Sequence, residues 1–237
     1  MAKLTFVCGT MYSSKSDNLI DRAKVRIVQG KTVLLFTTEK DDRAKKLETE
    51  DTKSFITTRH NQKDGCVYMQ EAFIIERVDF YKMAEDEKPD SLYLDEAHFV
   101  DIEIIHKLAD IADILDIPVF CYGLKNDSNI HLFPASELLI NIADDIIWIE
   151  TACCFCKEDA FLNLRTKITD INKLENIQKH IPVFGGQQIQ TETENIRFFQ
   201  VCRRCYRKIE RQHNAYHNIA IIDFKIIEIG PQLELIV

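Results

Sequence analysis

The sequence predicts an α/β fold in which helices flank a mostly parallel sheet, followed by a smaller cysteine-bearing domain. Short apolar runs alternate with helix-length segments through the first 150 residues, and parallel strands need such crossover segments between them. The apolar run at 3–8 leads through a turn directly into a helical pattern. Beyond residue 150, two closely spaced cysteine pairs bracket a polar segment, which indicates a second and smaller domain.

The individual elements follow from the spacing of the apolar residues. We predict strands at 3–8, 31–37, 65–69, 91–94, 118–122 and 145–150, and helices at 16–29, 71–84, 102–115 and 136–143. Beyond the cysteine pairs, two further strands at 219–229 and 233–237 are expected around Gly230 and Pro231. In sheets of this kind ligands bind beyond the carboxyl ends of the strands, so the functional residues are expected there.

The composition limits the partners that this chain can take. Its net charge of −8 argues against binding a nucleic-acid polymer, which depends on basic patches. No apolar run approaches the roughly 18 residues needed to cross a bilayer, and the N-terminal residues lack the features of a secretory signal. We therefore expect a cytoplasmic protein with no membrane partner. In that reducing compartment its 8 cysteines favour metal binding over disulfides.

A phosphate-binding loop is indicated where the first strand ends. The sequence there reads Gly9-Thr10-Met11-Tyr12-Ser13-Ser14-Lys15-Ser16 and opens a helix. In such loops backbone N–H groups cradle the phosphates of a nucleotide, the lysine reaches the outer phosphates and the following serine holds Mg²⁺. Ser14 stands where the strict pattern has glycine. The alternative is a strand–turn–helix with a chance Lys-Ser pair.

Two acidic residues end the strand predicted at 91–94. Asp95 is placed to help hold Mg²⁺, as the acid at such a strand end does in proteins with this loop. Glu96 follows directly and is close enough to the metal and the attacking oxygen to act as a general base. A solvated acidic turn is the alternative. The order and spacing of the loop and the acidic pair favour a nucleotide site.

The cysteine pairs predict a structural zinc site. Cys153-x-x-Cys156 and Cys202-x-x-Cys205 together supply four thiolates, the ligand set of tetrahedral Zn²⁺. Cys154 lies inside the first pair and is not expected to bind the metal. Reduced thiols with a purely structural role are the alternative. The long gap between the pairs implies that the metal clamps a sizeable loop at its base.

Further motifs occur in a characteristic order along the chain. They are Asp41-Asp42-Arg43, Tyr122-Gly123-Leu124, Phe133-Pro134, Gly185-Gly186 and Cys202-Arg203-Arg204-Cys205-Tyr206. Together with the loop, the acidic pair and the first cysteine pair, they make the chain resemble the type II thymidine kinases from residue 3 to residue 206. The resemblance implies a P-loop nucleotide-binding domain at 1–150 and a small zinc-binding lasso domain at 151–206. Residues 207–237 form an extension with no family counterpart.

The resemblance also implies an activity. Type II thymidine kinases transfer the γ-phosphate of ATP to the 5′-hydroxyl of thymidine or deoxyuridine, with Mg²⁺ and a structural Zn²⁺, as homotetramers. The residues that match the family's ATP and Mg²⁺ positions are Gly9, Met11, Ser13, Ser14, Lys15, Ser16, Asp41, Arg43 and Asp95. Glu96 matches the catalytic base, and the residues that match the nucleoside pocket are Phe99, Phe133, Gly186 and Phe198.

Several residues depart from the family pattern. Ser14 replaces the loop glycine, His98 stands where the family has glutamine, and Ser128 stands where it has phenylalanine. These departures leave two alternatives open. One is a related nucleotide-binding or regulatory protein with weakened catalysis, and the other is a different P-loop ATPase in which Glu96 activates water. The cysteine pairs count against the second alternative, because a generic ATPase does not need them.

Overall fold

The structure, a computed structural model, describes residues 1–41, 51–58, 69–172, 177–185, 195–216, 219–222 and 225–228. These residues pack into two units. The first unit takes the described residues of Met1–Lys125 and Leu132–Ile149, and the second takes Asn126–His131 with the described residues from 150 onward. In the described part of the chain, no helix is long and apolar enough to cross a membrane.

The first unit is built on a seven-stranded sheet. Its strands are β1 (Leu4–Gly9), β2 (Val33–Thr37), β3 (Lys53–Thr57), β4 (Met69–Ile74), β5 (Ser91–Leu94), β6 (Val119–Leu124) and β7 (Asp145–Ile149). They lie in the order β3-β4-β2-β5-β6-β1-β7, and each neighbouring pair is parallel except β3 with β4. The predicted α/β fold with a mostly parallel sheet is confirmed. Because β1 and β5 run in the same direction, the segments that follow them leave the same edge of the sheet.

Helices cover both faces of this sheet. They are α1 (Lys15–Val28), α2 (Phe80–Glu87), α3 (Ile102–Ile114) and α4 (Pro134–Ile142), with short 3-10 turns at Ile75–Arg77 and Ala97–Phe99. Alternate side chains of β1 belong to two buried clusters. Phe6 lies in the cluster that includes α3 and α4, whereas Val7 lies in the cluster that includes α1. Burial on both faces explains why these strands read as continuous apolar runs.

The helix predicted at 71–84 is wrong in its first part, where the structure has β4 and a 3-10 turn before α2. Pairing with neighbouring strands makes this segment a strand, because β4 lies parallel to β2 and antiparallel to β3. The periodicity of apolar residues within one segment does not reveal such partners. Asp79 then begins α2, since its side chain accepts a hydrogen bond from the Lys82 N–H at 3.1 Å. Of the strand predicted at 65–69, Met69 begins β4 and the rest lies outside the described residues.

The second unit contains an antiparallel sheet and a helix. Its strands are β8 (Leu162–Asn172), β9 (Ile177–Pro182), β10 (Ile196–Val201), β11 (Ile219–Ile222) and β12 (Lys225–Glu228), in the order β10-β8-β9-β11-β12, and its helix is α5 (Arg203–Tyr216). The sequence did not predict β8, β9, β10 or α5. The single strand predicted at 219–229 is instead an antiparallel pair, β11 and β12. The strand predicted at 233–237 lies outside the described residues.

Candidate functional site

The end of β1 and the loop that follows it have a backbone that favours glycine at Gly9 and at Ser14. A Cβ on Gly9 would lie 2.5 Å from the Ser13 hydroxyl oxygen and 3.0 Å from the Ile149 carbonyl oxygen, so a side chain does not fit there. Ser14 has φ 58° and ψ 32°, the left-handed conformation that glycine adopts without strain. The serine therefore keeps the backbone shape that glycine would give, at the energetic cost of carrying a Cβ.

Lys15 and Ser16 lie at the start of α1, where backbone N–H groups have no partner within the helix. The Lys15 ammonium donates to the Thr10 carbonyl oxygen at 2.7 Å and to the Ser13 hydroxyl at 3.3 Å. The Ser16 hydroxyl donates to Asp95 Oδ2 at 2.8 Å. This bond joins the phosphate loop to the acidic pair. A hydroxyl beside a carboxylate is a donor set that fits Mg²⁺, which prefers oxygen ligands.

Glu96 lies in a strained turn directly after Asp95. Its φ of 53° is in the left-handed region, which costs a residue with a Cβ roughly 1–2 kcal/mol. Within the turn, the Phe99 N–H donates to the Glu96 carbonyl oxygen at 3.0 Å. Neighbouring segments hold the turn, since the Asp95 N–H donates to the Phe36 carbonyl at 2.9 Å and the Lys40 ammonium donates to the Phe99 carbonyl at 2.8 Å. Strain of this kind persists where the surroundings fix it, often at functional sites.

Phe99 and Phe133 form an aromatic cluster with His98. The ring centroids of Phe99 and Phe133 lie 6.0 Å apart in an edge-to-face arrangement. The imidazole of His98 contacts both rings, with centroid distances of 4.0 Å to Phe99 and 4.6 Å to Phe133. Phe133 and His98 are buried, whereas Phe99 is partly exposed and offers apolar surface. Phe198, the other aromatic residue of the predicted nucleoside pocket, is buried on β10 in the second unit.

The structure describes two further residues of the predicted nucleotide site. Asp41 is buried in a turn after β2, where its N–H donates to the Thr38 carbonyl at 3.1 Å. Met11 is half-buried in the phosphate loop. Arg43 and Gly186 lie outside the described residues, so their predicted roles stay predictions.

The four predicted zinc ligands come together in the second unit. The sulfur atoms of Cys153, Cys156, Cys202 and Cys205 all lie within 4.8 Å of one another. Tetrahedral Zn–S bonds of about 2.3 Å separate the sulfur atoms by about 3.8 Å, so the spacing fits the ion. The Cys205 N–H donates a hydrogen bond to Cys202 Sγ at 3.3 Å. Cys154 is directed elsewhere, since its thiol donates to Gln200 Oε1 at 3.1 Å.

The ionisation of these thiols favours a bound cation. Burial raises the pKa of the Cys153 thiol, but hydrogen bonds from nearby backbone N–H groups outweigh it and bring the pKa to about 7. Burial and hydrogen bonds with neighbouring thiols raise the pKa of Cys205. Without a cation the four sulfurs cannot all be thiolates near neutral pH, because negative charges this close repel one another. A divalent metal removes that conflict, and four thiolates are a ligand set of structural Zn²⁺.

Comparison with known proteins assigns the family. A family model described as thymidine kinase matches residues 2–206. The thymidine kinase of Listeria monocytogenes serotype 4b (strain F2365) is 35% identical over 207 residues, which cover 87% of this chain and 97% of that protein. This chain belongs to the thymidine kinase family. The thymidine kinase of Shouchella clausii (strain KSM-K16) is 32% identical, and that of Streptococcus gordonii (strain Challis) is 33% identical, each over 97% of its own length and over 87% and 88% of this chain.

Membership of the thymidine kinase family confirms the assignment made from the order of the motifs, and it makes the chain a phosphotransferase. The matched region ends at residue 206, within α5. The rest of α5 and the strands β11 and β12 therefore lie beyond the part of the chain that the family model accounts for.

The side chains of Asn129 and Arg165 hold the backbone of Gly185 in this member of the thymidine kinase family. Asn129 Oδ1 accepts a hydrogen bond from the Gly185 N–H at 2.9 Å, and the Arg165 guanidinium donates to the Gly185 carbonyl. The Asp127 carboxylate accepts from the Asn129 and His131 N–H groups, both at 2.8 Å. The polar run after Gly-Leu marks a turn in the sequence, but not what that turn contacts.

Ser128, which departs from the thymidine kinase family pattern, takes part in a hydrogen bond through its backbone carbonyl. Ser128 is buried, and its carbonyl accepts a hydrogen bond from the Tyr206 hydroxyl at 2.8 Å. Burial raises the pKa of Tyr206 to about 12, so that hydroxyl keeps its proton and remains a donor near neutral pH. Tyr206 also packs edge-to-face against Phe184, with ring centroids 5.7 Å apart. The family tyrosine after the second cysteine pair thus fixes the turn at Ser128.

Proposed function

We propose that this chain transfers the γ-phosphate of ATP to the 5′-hydroxyl of thymidine or deoxyuridine. The observation that carries the proposal is the 2.8 Å hydrogen bond between the Ser16 hydroxyl and Asp95 Oδ2, because it unites the phosphate loop and the acidic pair in one site. The name thymidine kinase carried by the curated relatives supports thymidine as the acceptor.

The phosphate loop would bind the phosphates of ATP through its backbone N–H groups and the start of α1. The Lys15 ammonium, which donates to the Thr10 carbonyl, would exchange that partner for the outer phosphates. Ser16 and Asp95 would hold Mg²⁺, which neutralises charge on the phosphates when bound. The remaining residues proposed for nucleotide binding are Gly9, Met11, Ser13, Ser14, Asp41 and Arg43.

Glu96 is proposed as the general base. It follows Asp95 directly, so its carboxylate is expected within reach of an acceptor hydroxyl at the γ-phosphate. Its carboxylate would take the proton of the 5′-hydroxyl as that oxygen forms a bond to the γ-phosphorus. The bond from this phosphorus to the bridging oxygen breaks, and ADP leaves with the electron pair. Phosphoryl transfer depends mainly on positioning, for which a firmly held turn is suited.

Phe99 and Phe133 are proposed as walls of the pocket for the nucleoside base. Their support is the aromatic cluster, in which Phe99 offers exposed apolar surface next to buried Phe133. Aromatic faces suit a planar base. Gly186 and Phe198 are proposed as nucleoside-binding residues on their positions in the family's motif order alone.

The four cysteines are proposed to hold a structural Zn²⁺ that supports a lasso domain at 151–206. This division leaves 1–150 as the nucleotide-binding domain and 207–237 as an extension. The homotetramer and the cytoplasmic location are proposed on the resemblance to the type II thymidine kinases. Light scattering on the 27.6 kDa chain gives the subunit number directly, and a mass of four chains is expected.

A nucleoside panel tests the proposed activity. The protein is incubated with Mg-ATP and each of thymidine, deoxyuridine, deoxycytidine and deoxyguanosine, and chromatography detects the monophosphates. Product with thymidine or deoxyuridine is expected. Nucleotide binding without any product would instead favour the weakened regulatory protein, and ATP hydrolysis without an acceptor would favour the ATPase.

A further inference from the structure

We propose that His98 is a positioning residue for phosphoryl transfer, an inference that rests on the proposed kinase function. Its imidazole connects the turn that carries Glu96 to the backbone of the Gly123–Leu124 segment, and it also packs against the aromatic pair Phe99 and Phe133. The family has glutamine at this position, so the resemblance assigns the imidazole no role.

A hydrogen bond fixes the protonation of the imidazole. The Leu124 N–H donates to His98 Nδ1 at 3.2 Å. A backbone N–H is always a donor, so Nδ1 must be the acceptor, and a neutral ring then carries its proton on Nε2. The same Nδ1 lies 3.5 Å from Glu96 Oε2. The ring therefore borders the carboxylate without giving it a proton, and Glu96 keeps its capacity to accept one.

Gly123 provides the space for this arrangement. A Cβ on Gly123 would lie 3.1 Å from the His98 backbone nitrogen and 3.2 Å from its Nδ1, so these atoms would have to move by a few tenths of an ångström to accommodate it. The side chain of His98 is only 1% exposed, so it has little room to move away. A single added methyl group at Gly123 should therefore disturb the bond between His98 and Leu124.

The contacts of His98 separate into two groups with different consequences. Nδ1 ties the strained turn of Glu96 to β6, and a catalytic group displaced by about 1 Å can cost on the order of 10²-fold in rate. The ring carbons pack against Phe99 and Phe133, which are proposed to bind the nucleoside base. Loss of the Nδ1 acceptor should therefore lower kcat, whereas loss of the ring should raise the KM for the nucleoside.

Two substitutions divide these contacts. His98→Phe keeps an aromatic ring and removes the acceptor, and His98→Asn keeps an acceptor oxygen near the position of Nδ1 and removes the ring. With thymidine as the acceptor, we expect His98→Phe to lower kcat by about tenfold or more with the thymidine KM within about twofold. We expect His98→Asn to keep kcat within about threefold and to raise the thymidine KM about fivefold. The dissociation constant of an ATP analogue should stay the same in both variants.

Gly123→Ala provides a second test that leaves His98 in the chain. It should lower kcat about fivefold or more, because the added methyl group displaces the imidazole. His106→Phe is the matched control, since His106 is exposed on α3, and it should leave kcat and KM unchanged. If either His98→Phe or Gly123→Ala folds, binds the ATP analogue and keeps wild-type kcat, the inference is overturned. Equal changes in kcat and KM for His98→Phe and His98→Asn would overturn it too.

The wild-type protein separates this inference from the function on which it rests. If the wild type phosphorylates no nucleoside, the proposed function fails and the inference falls with it. If the wild type is active and the variants behave like the control, the proposed function stands and the role of His98 alone is contradicted.

Discussion

The two units of this chain prepare their candidate sites in different ways. In the first unit, backbone geometry shapes the site: a close approach requires Gly9, and left-handed angles place Ser14 and Glu96. Helices on both faces of the sheet support that backbone. In the second unit, four thiols meet beside a smaller buried cluster, with ionisation states that conflict until a cation is present. The first site should thus exist before its ligands bind, whereas the second should depend on its metal.

This difference predicts which losses each unit can tolerate. A phosphate loop on a fully packed sheet should still bind ATP when one side chain changes. A cluster of thiols should lose its structure when the metal leaves, because binding energy and folding energy are the same quantity in small metal-binding domains.

The largest effect is expected from removing a zinc ligand, since structural zinc contributes on the order of 10 kcal/mol to folding in small domains. Protein prepared without chelator should contain about one Zn²⁺ per chain, and Cys202→Ser should lower this content to near zero. Cys154→Ser is the control and should keep the metal, because its thiol faces Gln200. Metal analysis of the wild-type and variant proteins measures the zinc content. A wild-type protein without zinc would contradict the claim that the site in the second unit depends on a metal.

Glu96→Gln should reduce kcat by about 10²–10⁴-fold, the usual contribution of a general base, while ATP-analogue and thymidine affinities stay within about twofold. Glutamine keeps the shape of the side chain but cannot accept the proton. Glu103→Gln, on the exposed surface of α3, is the matched control and should be neutral. Steady-state kinetics and calorimetry give both quantities. A Glu96→Gln enzyme with wild-type kcat would remove Glu96 from the mechanism.

Asp95→Asn should act on binding instead. The Asp95 carboxylate accepts a hydrogen bond from the Ser16 hydroxyl and is proposed to hold Mg²⁺. The affinity of the Asp95→Asn protein for Mg-ATP should therefore fall about tenfold. Asp113→Asn, exposed on α3, should leave the affinity unchanged. Titration of an ATP analogue with and without Mg²⁺ measures the effect. Equal affinities of the Asp95→Asn and wild-type proteins in Mg²⁺ would show that this carboxylate does not help to hold the metal.

The smallest effect is expected at Ser14. Glycine adopts the left-handed angles of Ser14 without the strain that a Cβ adds, so Ser14→Gly should raise the free energy of unfolding by about 1 kcal/mol, measured by denaturant unfolding, and leave the affinity for an ATP analogue unchanged. Ser14→Ala removes the hydroxyl but keeps the Cβ, so it should show no such gain. Weaker binding in Ser14→Gly would mean that the serine hydroxyl makes a useful contact with the nucleotide.

Local patterns in the sequence revealed the features that local chemistry determines. The phosphate loop, the acidic pair and the two cysteine pairs each lie within a few consecutive residues, and the alternation of strands and helices gave the fold class of the first unit. The seven-stranded sheet confirms that class. The same patterns did not show that Ser14 would retain the backbone angles of a glycine, because a sequence carries no direct record of φ.

Features that depend on distant partners were missed. The segment at 71–84 has a helical spacing of apolar residues, yet pairing with β2 and β3 makes its first part a strand. Strands β8, β9 and β10 of the second unit carry many polar residues, so periodicity did not reveal them. Lys40 and His98 each hold the turn of Glu96 through one hydrogen bond with a backbone atom. Lys40 and its partner Phe99 are 59 residues apart in the sequence, and His98 and its partner Leu124 are 26 residues apart. No local pattern marks such contacts.

The central claim is that this chain moves phosphate from ATP to a nucleoside. ATP labelled at the γ-phosphate with ³²P tests it most directly, with Mg²⁺ and with or without thymidine. Label should appear in thymidine monophosphate only when thymidine is present, with little released as inorganic phosphate. Label that appears as inorganic phosphate at the same rate with and without thymidine would contradict the claim and identify water as the acceptor.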